Sequence, residues 1–502
     1  MSSDPPHEEP STESVDMPED AETASQNPSG ALAAKAAIVD LDALSTHPRT
    51  RTRTMDLWRL AWPVMLSMVL VTVVGLVDIA MVGQIGSDAQ AAVGYATQFF
   101  FMAQSVLFAV SFACVALMSR FIGAGRVDEA RRAMAASMAI AVGTAVTLVA
   151  VTLAAPRRVL LALNAEPHVV EMTIPYLELV MVSTILLAAA LVMEGALRAD
   201  RNTVIALRIS AVVAAVKIVL SWGLIFGEFG FPRRELLGAG QATVLSQVVG
   251  LVLFTIVIRR RDANSPAAFR LDDLVHSGKY FAEVARISVP GVVERLALNF
   301  GLLVYFALLG VYGTAAVAAY TIGVRALSFT WVPGIGLAQA AGALVGQALG
   351  RDDSDDAERI GVRAAWLSFG VAAVLGSIAG LGRGPLSRVF TNDTAVVEAL
   401  DPFLLCLAIA QPMLQLHFTL GGVHRGAGET WTPMMAATIG NWAVRVPITM
   451  FLVYVVHAPV AWLWVAIIFD HATRAIWLLV GFRGGKWKTT LRDRLAAAEA
   501  QS

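Results

Sequence analysis

The chain has 502 residues, of which 56% are hydrophobic and only 15% charged, and its formal net charge is −1. Soluble globular proteins hold about 45–50% apolar and about 25% charged residues, so this composition is typical of a membrane protein. A net charge this close to zero gives no overall field that would attract nucleic acid. The two cysteines, Cys114 and Cys406, each lie inside an apolar run, which excludes a disulfide framework and a cysteine-based metal site.

The first segment, residues 1–54, differs from the rest of the chain because Pro, Ser, Asp and Glu are frequent in it. It shows no apolar periodicity, and no Lys or Arg precedes Lys35. Such a segment cannot bury enough apolar surface to offset the entropy lost on ordering, so we predict a disordered acidic tail in the cytoplasm. A cleavable signal peptide is not expected, because a positively charged start followed by an apolar core is missing.

Apolar runs long enough to cross a hydrocarbon core recur through the remaining chain. They predict six helices in a first set, near 57–82, 93–118, 133–154, 174–197, 204–226 and 239–258. A second set of six is predicted near 285–309, 320–345, 362–382, 401–424, 433–455 and 459–481. The runs are apolar all round and lack the alternation of strands, so we predict an all-α integral membrane protein with about twelve transmembrane helices.

Basic residues are concentrated in every second connection between the predicted helices. The connection after the sixth helix, for example, holds Arg259, Arg260, Arg261, Arg270 and Lys279. The connections after the first, seventh and eleventh helices hold no Lys or Arg. Because an excess of Lys and Arg marks the cytoplasmic side, we expect a multi-pass protein of the cell membrane with both termini in the cytoplasm.

The two sets of helices repeat each other at one offset. Pro63 and Pro290 each open an apolar helix and lie 227 positions apart. The same offset superposes further pairs without a gap: Gly86 on Gly313, Ala91-Ala92 on Ala318-Ala319, Gly123 on Gly350, Val169-Val170-Glu171 on Val396-Val397-Glu398, Pro175 on Pro402, Arg198 on Arg425 and Thr203 on Thr430. One offset that holds over four helices and their loops indicates an internal duplication.

Each copy holds six helices, an even number, so both copies enter the membrane in the same orientation. Two parallel six-helix repeats with a cavity between them near the bilayer midplane are therefore predicted, an arrangement typical of alternating-access transporters. The predicted organisation is an N-terminal lobe over 55–262, a cytoplasmic linker over 263–284, a C-terminal lobe over 285–482 and a basic cytoplasmic tail over 483–502.

Three segments of the first repeat resemble the first-helix signature of the MATE family, the multidrug and toxic compound extrusion transporters: Trp62-Pro63, Val77-Asp78-Ile79-Ala80-Met81-Val82-Gly83-Gln84-Ile85-Gly86 and Ala91-Ala92-Val93-Gly94. The second copy repeats the signature as Ser288-Val289-Pro290, Gly310-Val311-Tyr312-Gly313 and Ala318-Ala319-Tyr320. Later segments are also similar to the family: Gly195-Ala196-Leu197-Arg198, Arg425-Gly426-Ala427-Gly428-Glu429-Thr430, Arg445-Val446-Pro447 and Gly485-Lys486-Trp487-Lys488. The resemblance covers residues 55–490.

The resemblance implies a MATE-like fold of two lobes and a function as a secondary active multidrug exporter. Its substrates would be organic, often cationic amphipathic compounds, moved out of the cell against inward H⁺ or Na⁺. The expected partners are such small molecules and the lipid bilayer, without nucleic acid, and the expected state is a monomer. No cofactor is expected besides the coupling ion.

Asp78 lies in the first helix at membrane depth, where an ionisable group is costly and usually faces a cavity or a partner. It matches the aspartate of the MATE first-helix signature, so the resemblance implies that it is the coupling carboxylate of the first lobe. The alternative is an acid near the outer mouth that is close to water and functionally neutral.

Lys217 and Ser221 in the fifth helix are the main departure from the family pattern, in which Asn and Asp often stand at these positions. Being four residues apart, they share a helix face. Lys217 is expected to pair with Asp78, and the alternative is a snorkelling lysine that serves only packing. An ammonium group here would repel Na⁺, which argues against a sodium site like the family's.

Glu294 and Arg295 lie in the seventh helix just after Pro290 and are the candidate ion-coupling or substrate-binding residues of the second lobe. Family members often carry a glutamate one turn further along, which implies a cavity-facing role for Glu294. The alternative is a glutamate near the cytoplasmic entrance. Asp470 and Arg474, four residues apart in the twelfth helix, are expected to pair with each other.

Two other classes of protein compete with an exporter. A flippase for a lipid-linked precursor is the alternative within transport, because four basic residues at membrane depth would suit an anionic headgroup: Lys217, Arg295, Arg325 and Arg445. An enzyme is not expected, because the sequence contains no Walker motif, zinc-ligand cluster or nucleophile elbow.

Overall fold

Most of the chain is helical in the computed structural model of the protein, which describes residues 52–163, 165–262, 264–390 and 393–499. Apolar runs form helices in lipid because a helix satisfies its own backbone N–H and C=O groups, which hydrocarbon cannot do. The predicted acidic tail lies almost wholly outside the described residues, which begin at Thr52.

Twelve helices in the described part of the chain are long and apolar enough to cross a membrane. The first repeat contains α1 (Thr54–Gly83), α2 (Ser87–Gly123), α3 (Val127–Leu153), α4 (Pro167–Ala199), α5 (Thr203–Phe226) and α6 (Glu235–Arg259). The second contains α7 (Gly278–Gly310), α8 (Ser328–Gly350), α9 (Ser354–Leu381), α10 (Thr394–Gly426), α11 (Trp431–Tyr454) and α12 (Val460–Arg483). The predicted fold class, with twelve membrane helices in two repeats, is confirmed.

Several helices extend beyond the apolar runs that predict them. α7 begins at Gly278 rather than at 285, so the end of the predicted linker is helical, and Leu271–Val275 forms a further short helix. The early start of α7 has a packing reason, because Tyr280 and Val284 are buried in the core of the first lobe. The ring of Tyr280 packs edge-on against Phe121, with ring centroids 5.6 Å apart.

The eighth predicted helix is interrupted. An α-helix over Thr314–Leu327 is followed by a 3-10 turn, Ser328–Thr330, before the α-helical part of α8 begins at Trp331. Pro333 has no N–H and its ring crowds the preceding turn, which disfavours a continuous helix here. The side-chain amides of Gln411 and Gln415 in α10 donate to the hydroxyl and carbonyl oxygens of Thr330, so side chains satisfy the polar groups at the break.

α11 contains a π-helical turn, Ile439–Arg445, between two α-helical parts. Pro447 follows this turn and cannot donate to the carbonyl four residues before it, which explains why the helix departs from regular geometry at this level. Since a π-turn holds one residue more than the α-turn it replaces, it changes the direction in which Arg445 points.

Equivalent glycines set the packing within each lobe. Gly195 of α4 lies against Ser111 of α2, and Gly422 of α10 lies against Ala338 of α8. Both members of one pair are 227 positions from their counterparts in the other. A Cβ atom on Gly422 would lie 2.3 Å from the Ala338 carbonyl oxygen, so only glycine permits this approach of the two helices.

The two lobes meet at the end of the bundle where the described chain begins and ends. Gln347 of α8 donates to the Ala199 carbonyl oxygen at 2.7 Å and accepts from Arg201 Nε at 2.6 Å. Thr52 donates from its backbone N–H and from its hydroxyl to the carboxylate of Asp356 at the start of α9. These polar contacts tie both repeats together at what we call the closed end.

A further contact between the lobes lies farther along the helices, away from the closed end. Among the described residues, a contact between lobes near the middle of the helices joins Gly291 of α7 to Ala109 of α2. Beyond this level, large apolar side chains of α1, α2 and α7 are exposed, with Leu76 at 54%, Phe101 at 57% and Leu303 at 59%.

Candidate functional site

Asp78 of α1 faces α5 and binds two of its side chains. Its Oδ2 atom lies 2.8 Å from Nζ of Lys217, and its Oδ1 atom accepts a hydrogen bond from the hydroxyl of Ser221 at 3.0 Å. The two α5 residues reach the same carboxylate because they are one helical turn apart. The structure thus brings three of the five predicted site residues together, with a paired rather than a snorkelling lysine.

The ammonium of Lys217 has as many partners as it has N–H donors. Besides Asp78 it donates to the hydroxyl of Thr243 at 2.7 Å and to the carbonyl oxygen of Ala239 at 3.2 Å, both on α6. The Lys217 side chain is 9% exposed and that of Asp78 is 24% exposed. The cation is therefore held inside the lobe, whereas the carboxylate is partly exposed.

Glu294 and Arg295 lie in the other lobe, where they line a cavity of about 280 Å³. The walls of this cavity come from α7, α10, α11 and α12, with Tyr320 and Trp331 from the region of the interrupted helix. The structure does not join these two residues to the Asp78 network. The Glu294 side chain is buried in the cavity wall.

Two ion pairs form part of the cavity wall. Arg425 Nη2 lies 2.6 Å from Oε1 of Glu294, which joins α10 to α7. Arg474 donates to both carboxylate oxygens of Asp470, at 2.5 and 2.7 Å. The expected Asp470–Arg474 pair is thereby confirmed, and its bidentate geometry is the one that a guanidinium and a carboxylate favour.

Arg445 reaches the cavity from the π-turn of α11. Its guanidinium carbon lies 3.9 Å from the ring centroid of Tyr305, and its Nη2 donates to the hydroxyl of Tyr320 at 3.0 Å. Tyr305 is the 227-position counterpart of Asp78, and one extra residue in the π-turn makes Arg445 the counterpart of Lys217. A base therefore faces the first helix of each repeat, against a carboxylate in one lobe and a tyrosine in the other.

Sequence reasoning missed several residues of these sites. The partners Thr243, Arg425 and Tyr320 were not predicted to contact Lys217, Glu294 and Arg445. Two sequence signals single out Arg425, since the repeat offset pairs it with Arg198 and it opens a segment that is similar to the family. Arg325, in contrast, is exposed and lies outside the cavity lining.

His417 of α10 also lines this cavity. Its ring stacks on that of His471 in α12, with centroids 5.2 Å apart and planes inclined by 14°. Its Nδ1 lies 3.1 Å from the Met413 carbonyl oxygen, so at least one ring nitrogen has a backbone partner.

Known proteins share both the sequence pattern and the fold. The profile of the MatE family matches residues 63–222 and 290–451, one match in each repeat. A probable multidrug resistance protein NorM from Thermotoga maritima is 28% identical over 436 residues, which cover 86% of this chain and 93% of that protein. A NorM protein of the same description from Bradyrhizobium diazoefficiens is 28% identical over 435 residues, covering 85% and 92%.

Solved structures of MATE transporters have the same fold. VcmN, a MATE transporter of Vibrio cholerae, superposes with a TM-score of 0.79 at 19% identity, covering 87% of this chain and 98% of its own. A MOP superfamily transporter from Pyrococcus furiosus superposes with a TM-score of 0.78 at 20% identity, covering 89% and 97%.

Ionisable groups held inside a membrane helix bundle, as in both lobes here, are typical of membrane transporters. The chain belongs to the MatE family, which both halves match in the order the repeat requires. The resemblance found in the sequence is thereby confirmed, and with it the class of multidrug efflux transporters that includes the NorM proteins.

Proposed function

We propose that this protein is a secondary active exporter that moves amphipathic small molecules out of the cell against an inward flow of protons. Asp78 is the proton-binding group in this proposal. The observation that carries it is the network of Asp78, Lys217 and Ser221, a charged site inside a membrane helix bundle. Ionisable groups at this depth are costly to bury, and they mark ion pathways in membrane transporters.

The ammonium of Lys217 favours a proton over a sodium ion as the coupling ion. A Na⁺ bound to Asp78 would lie within about 4 Å of the ammonium, where two unit charges repel by about 4 kcal/mol at an effective dielectric constant of 20. A proton avoids this repulsion, because it neutralises the carboxylate instead of adding a second cation beside it.

We expect protonation of Asp78 to change the contacts between the lobes through a shift of α1. A neutral carboxyl group no longer attracts Lys217, which keeps its hydrogen bonds to Thr243 and Ala239 on α6. α1 is then held less tightly against α5. The other half of α1 packs on the second lobe, where Ala61 and Met65 lie against Gly336 of α8. A shift of α1 therefore changes the contacts of the closed end, as alternating access requires.

Two observations support amphipathic small molecules as substrates. The related NorM proteins are described as probable multidrug resistance proteins. In this chain, exposed apolar side chains of α1, α2 and α7 lie in the halves of the helices beyond the closed end. An apolar surface of this kind binds compounds of many different shapes, because apolar contacts are not directional.

Transport into everted membrane vesicles tests the proposal. The vesicles are supplied with one cationic and one anionic amphipathic dye, so that the result does not depend on substrate charge. We expect accumulation that requires an imposed proton gradient and stops on addition of an uncoupler. Accumulation driven by a sodium gradient alone would replace the proton by Na⁺, and accumulation under neither gradient would contradict secondary active export.

A flippase for a lipid-linked precursor is the second candidate, favoured by the arginines of the second-lobe cavity. Its test uses liposomes that contain the purified protein and a fluorescent polyprenyl phosphate. Movement of this lipid between leaflets that requires the protein, together with no dye transport in the vesicles, would favour the flippase.

A further inference from the structure

The cavity of the second lobe carries an excess of positive charge. Its positively charged lining residues are Arg295, Arg425, Arg445 and Arg474, and its negatively charged ones are Glu294 and Asp470. With the two lining histidines neutral, the excess is two positive charges. A charge in a low-dielectric interior is costly without a counter-charge, so this lining favours a negatively charged occupant.

The two carboxylates of the lining are already occupied. Glu294 binds Arg425 at 2.6 Å, and Asp470 binds Arg474 through both of its oxygens. Each of these pairs is neutral as a unit. The positive excess of the cavity therefore resides on the two remaining arginines, Arg295 and Arg445.

These two arginines retain unused hydrogen-bond donors. Among the described residues, Arg295 has no ion pair or side-chain hydrogen bond, and it is half-buried at the cavity wall. Arg445 binds Tyr320 through Nη2, and its Nη1 lies 3.9 Å from Asp470, but its buried Nε has no partner in the part of the chain that the structure describes. The buried indole N–H of Trp331, also in the lining, has no acceptor among the residues that the structure describes.

An excess of donors calls for a ligand rich in acceptors. Guanidinium groups match the planar or tetrahedral oxygens of carboxylate and phosphate groups, which accept two hydrogen bonds from one arginine. Apolar side chains form another part of the wall, with Leu298, Leu302, Phe403 and Leu407 among them. A ligand that satisfies both parts of the wall has an anionic group and an apolar body.

We propose that this cavity binds an amphipathic organic anion, with its carboxylate or phosphate group on Arg295 and Arg445. The inference rests on the proposed function only in that it names the substrate class of the same exporter. It also assigns different tasks to the two lobes. In the first lobe Asp78 balances Lys217 one to one, which suits proton exchange, whereas the second lobe keeps a positive surplus for the substrate.

Calorimetric titration of the full-length protein in phosphatidylcholine nanodiscs tests the inference. Two ligands with the same ring system and opposite charge, naphthylacetate and naphthylmethylammonium, isolate the effect of charge. We expect naphthylacetate to bind at least about tenfold more tightly, since hydrogen bonds to a charged group are worth about a factor of ten or more in affinity. Equal affinity, or tighter binding of the cation, would overturn the inference.

Variants of Arg295 locate the binding in this cavity. Arg295→Gln removes one of the two surplus charges and should weaken naphthylacetate binding by about tenfold, whereas Arg295→Lys, which keeps the charge, should weaken it less. Arg325→Gln is the matched control, because it removes the same charge from an exposed site outside the lining. An equal loss in Arg295→Gln and Arg325→Gln would contradict binding at Arg295. A thermal melt of each variant confirms that it is folded.

A lipid headgroup offers the same chemistry as a soluble anion, and a second titration separates the two. In nanodiscs with phosphatidylglycerol, a soluble anion should still bind in the cavity. If naphthylacetate binding is lost in nanodiscs with phosphatidylglycerol and returns in nanodiscs of phosphatidylcholine alone, the cavity binds a lipid headgroup. This result would overturn the proposal of a soluble substrate. These titrations use no proton gradient, so a failure of proton coupling in the vesicles leaves them unaffected. Proton-driven dye transport without naphthylacetate binding would refute this inference alone.

Discussion

Gly123 and Gly350, equivalent residues of the two repeats, each lie against the backbone of the helix that carries the other. A Cβ atom on Gly123 would be 2.1 Å from the carbonyl oxygen of Gln347, and one on Gly350 would be 2.1 Å from the carbonyl oxygen of Arg120. Arg120 and Gln347 are themselves 227 positions apart. The contact is therefore reciprocal, and it places α2 and α8 around the axis that relates the two lobes.

Gly350→Ala should prevent the lobes from closing at this end. The added methyl group meets backbone, which cannot move aside as a side chain can, and overpacking of this kind costs about 1–3 kcal/mol. We expect transport to fall by about tenfold or more. The measurement is maleimide labelling of Ser119→Cys, a residue buried between the lobes, in a protein without Cys114 and Cys406.

The labelling of Ser119→Cys should become faster when Gly350→Ala is added. Gly143→Ala is the matched control, because a Cβ atom at this helical glycine meets no heavy atom within 4 Å. Unchanged labelling in Gly350→Ala, or the same increase in Gly143→Ala, would show that the glycine contact does not hold the closed end together.

The orientation in the membrane follows from the basic connections and is open to direct measurement. Ser87 and Thr314 are exposed just after the neutral connections that follow α1 and α7, and Arg260 is exposed in the basic connection after α6. Each of the three is replaced by cysteine in a separate variant. A membrane-impermeant maleimide added to intact cells should label the first two and miss the third. The reverse pattern would place the termini outside and contradict the predicted orientation.

Asp78→Asn should abolish proton-driven transport without loss of the folded protein from membranes. The amide has nearly the shape of the carboxylate and can still accept from Ser221, but it does not exchange a proton. Asp88→Asn is the control, since Asp88 lies at the exposed start of α2, where it faces His168 rather than Lys217. Transport by Asp78→Asn at the rate of the unaltered protein would end the proposed role of Asp78.

Lys217→Ala tests the partner of Asp78 separately. The ammonium stabilises the carboxylate in competition with a proton, so its removal should move the pH profile of transport toward higher pH. Ser221→Ala, which removes one neutral hydrogen bond, should shift the profile in the same direction by a smaller amount. An unchanged profile in Lys217→Ala would leave Asp78 in place but remove Lys217 from the coupling site.

Two truncations separate the acidic tail from the first residues of the fold. Deletion of residues 1–45 should leave folding and transport intact, because that segment has no apolar periodicity with which to pack. Deletion of residues 1–53 also removes Thr52, which donates twice to the buried carboxylate of Asp356. We expect the longer deletion alone to lower the free energy of unfolding, by about 1–3 kcal/mol. Loss of folded protein after the shorter deletion would show that the tail is structural.

Glu429, in the connection between α10 and α11, should make stability depend on acid pH. Burial opposes its ionisation, but hydrogen bonds from His424 and from the backbone N–H of Thr432 outweigh burial and lower its pKa below the usual 4.5. A lowered pKa in the folded state means that the charged group stabilises the fold above its unfolded pKa. This contribution is lost as the pH falls through the folded pKa.

Glu429→Gln should therefore lower the melting temperature in detergent at neutral pH, by an amount equivalent to about 1 kcal/mol. The difference from the unaltered protein should shrink when the pH falls below the usual glutamate pKa. Glu228→Gln, at an exposed position between α5 and α6, is expected to have no such effect. A melting difference that persists unchanged in acid would contradict the charge-dependent role of Glu429.

Three features of the sequence already determine the architecture of this protein: its hydropathy pattern, the placement of its basic connections and the 227-position offset between its two repeats. Lipid forces each crossing segment to be apolar and helical, so the apolar runs count the helices directly. Six helices per copy fix the parallel relation of the repeats. The pairing of Lys217 with Asp78 could be predicted too, since a base at membrane depth requires a partner and Asp78 was the available acid of the first lobe.

Only the tertiary structure decided which charges remain unpaired in the second lobe. Glu294 is paired with Arg425, 131 residues away on α10, and the π-turn of α11 directs Arg445 toward Tyr305 and Tyr320. Sequence periodicity tells which residues share a helix face, but not which helix that face meets. The rotation of each helix and its neighbours are set by close packing, here by glycines such as Gly301 against Asn441. Within the described part of the chain, Arg295 is thus identified as an arginine without an ion pair only once Arg425 and Arg474 are seen to bind the two acids.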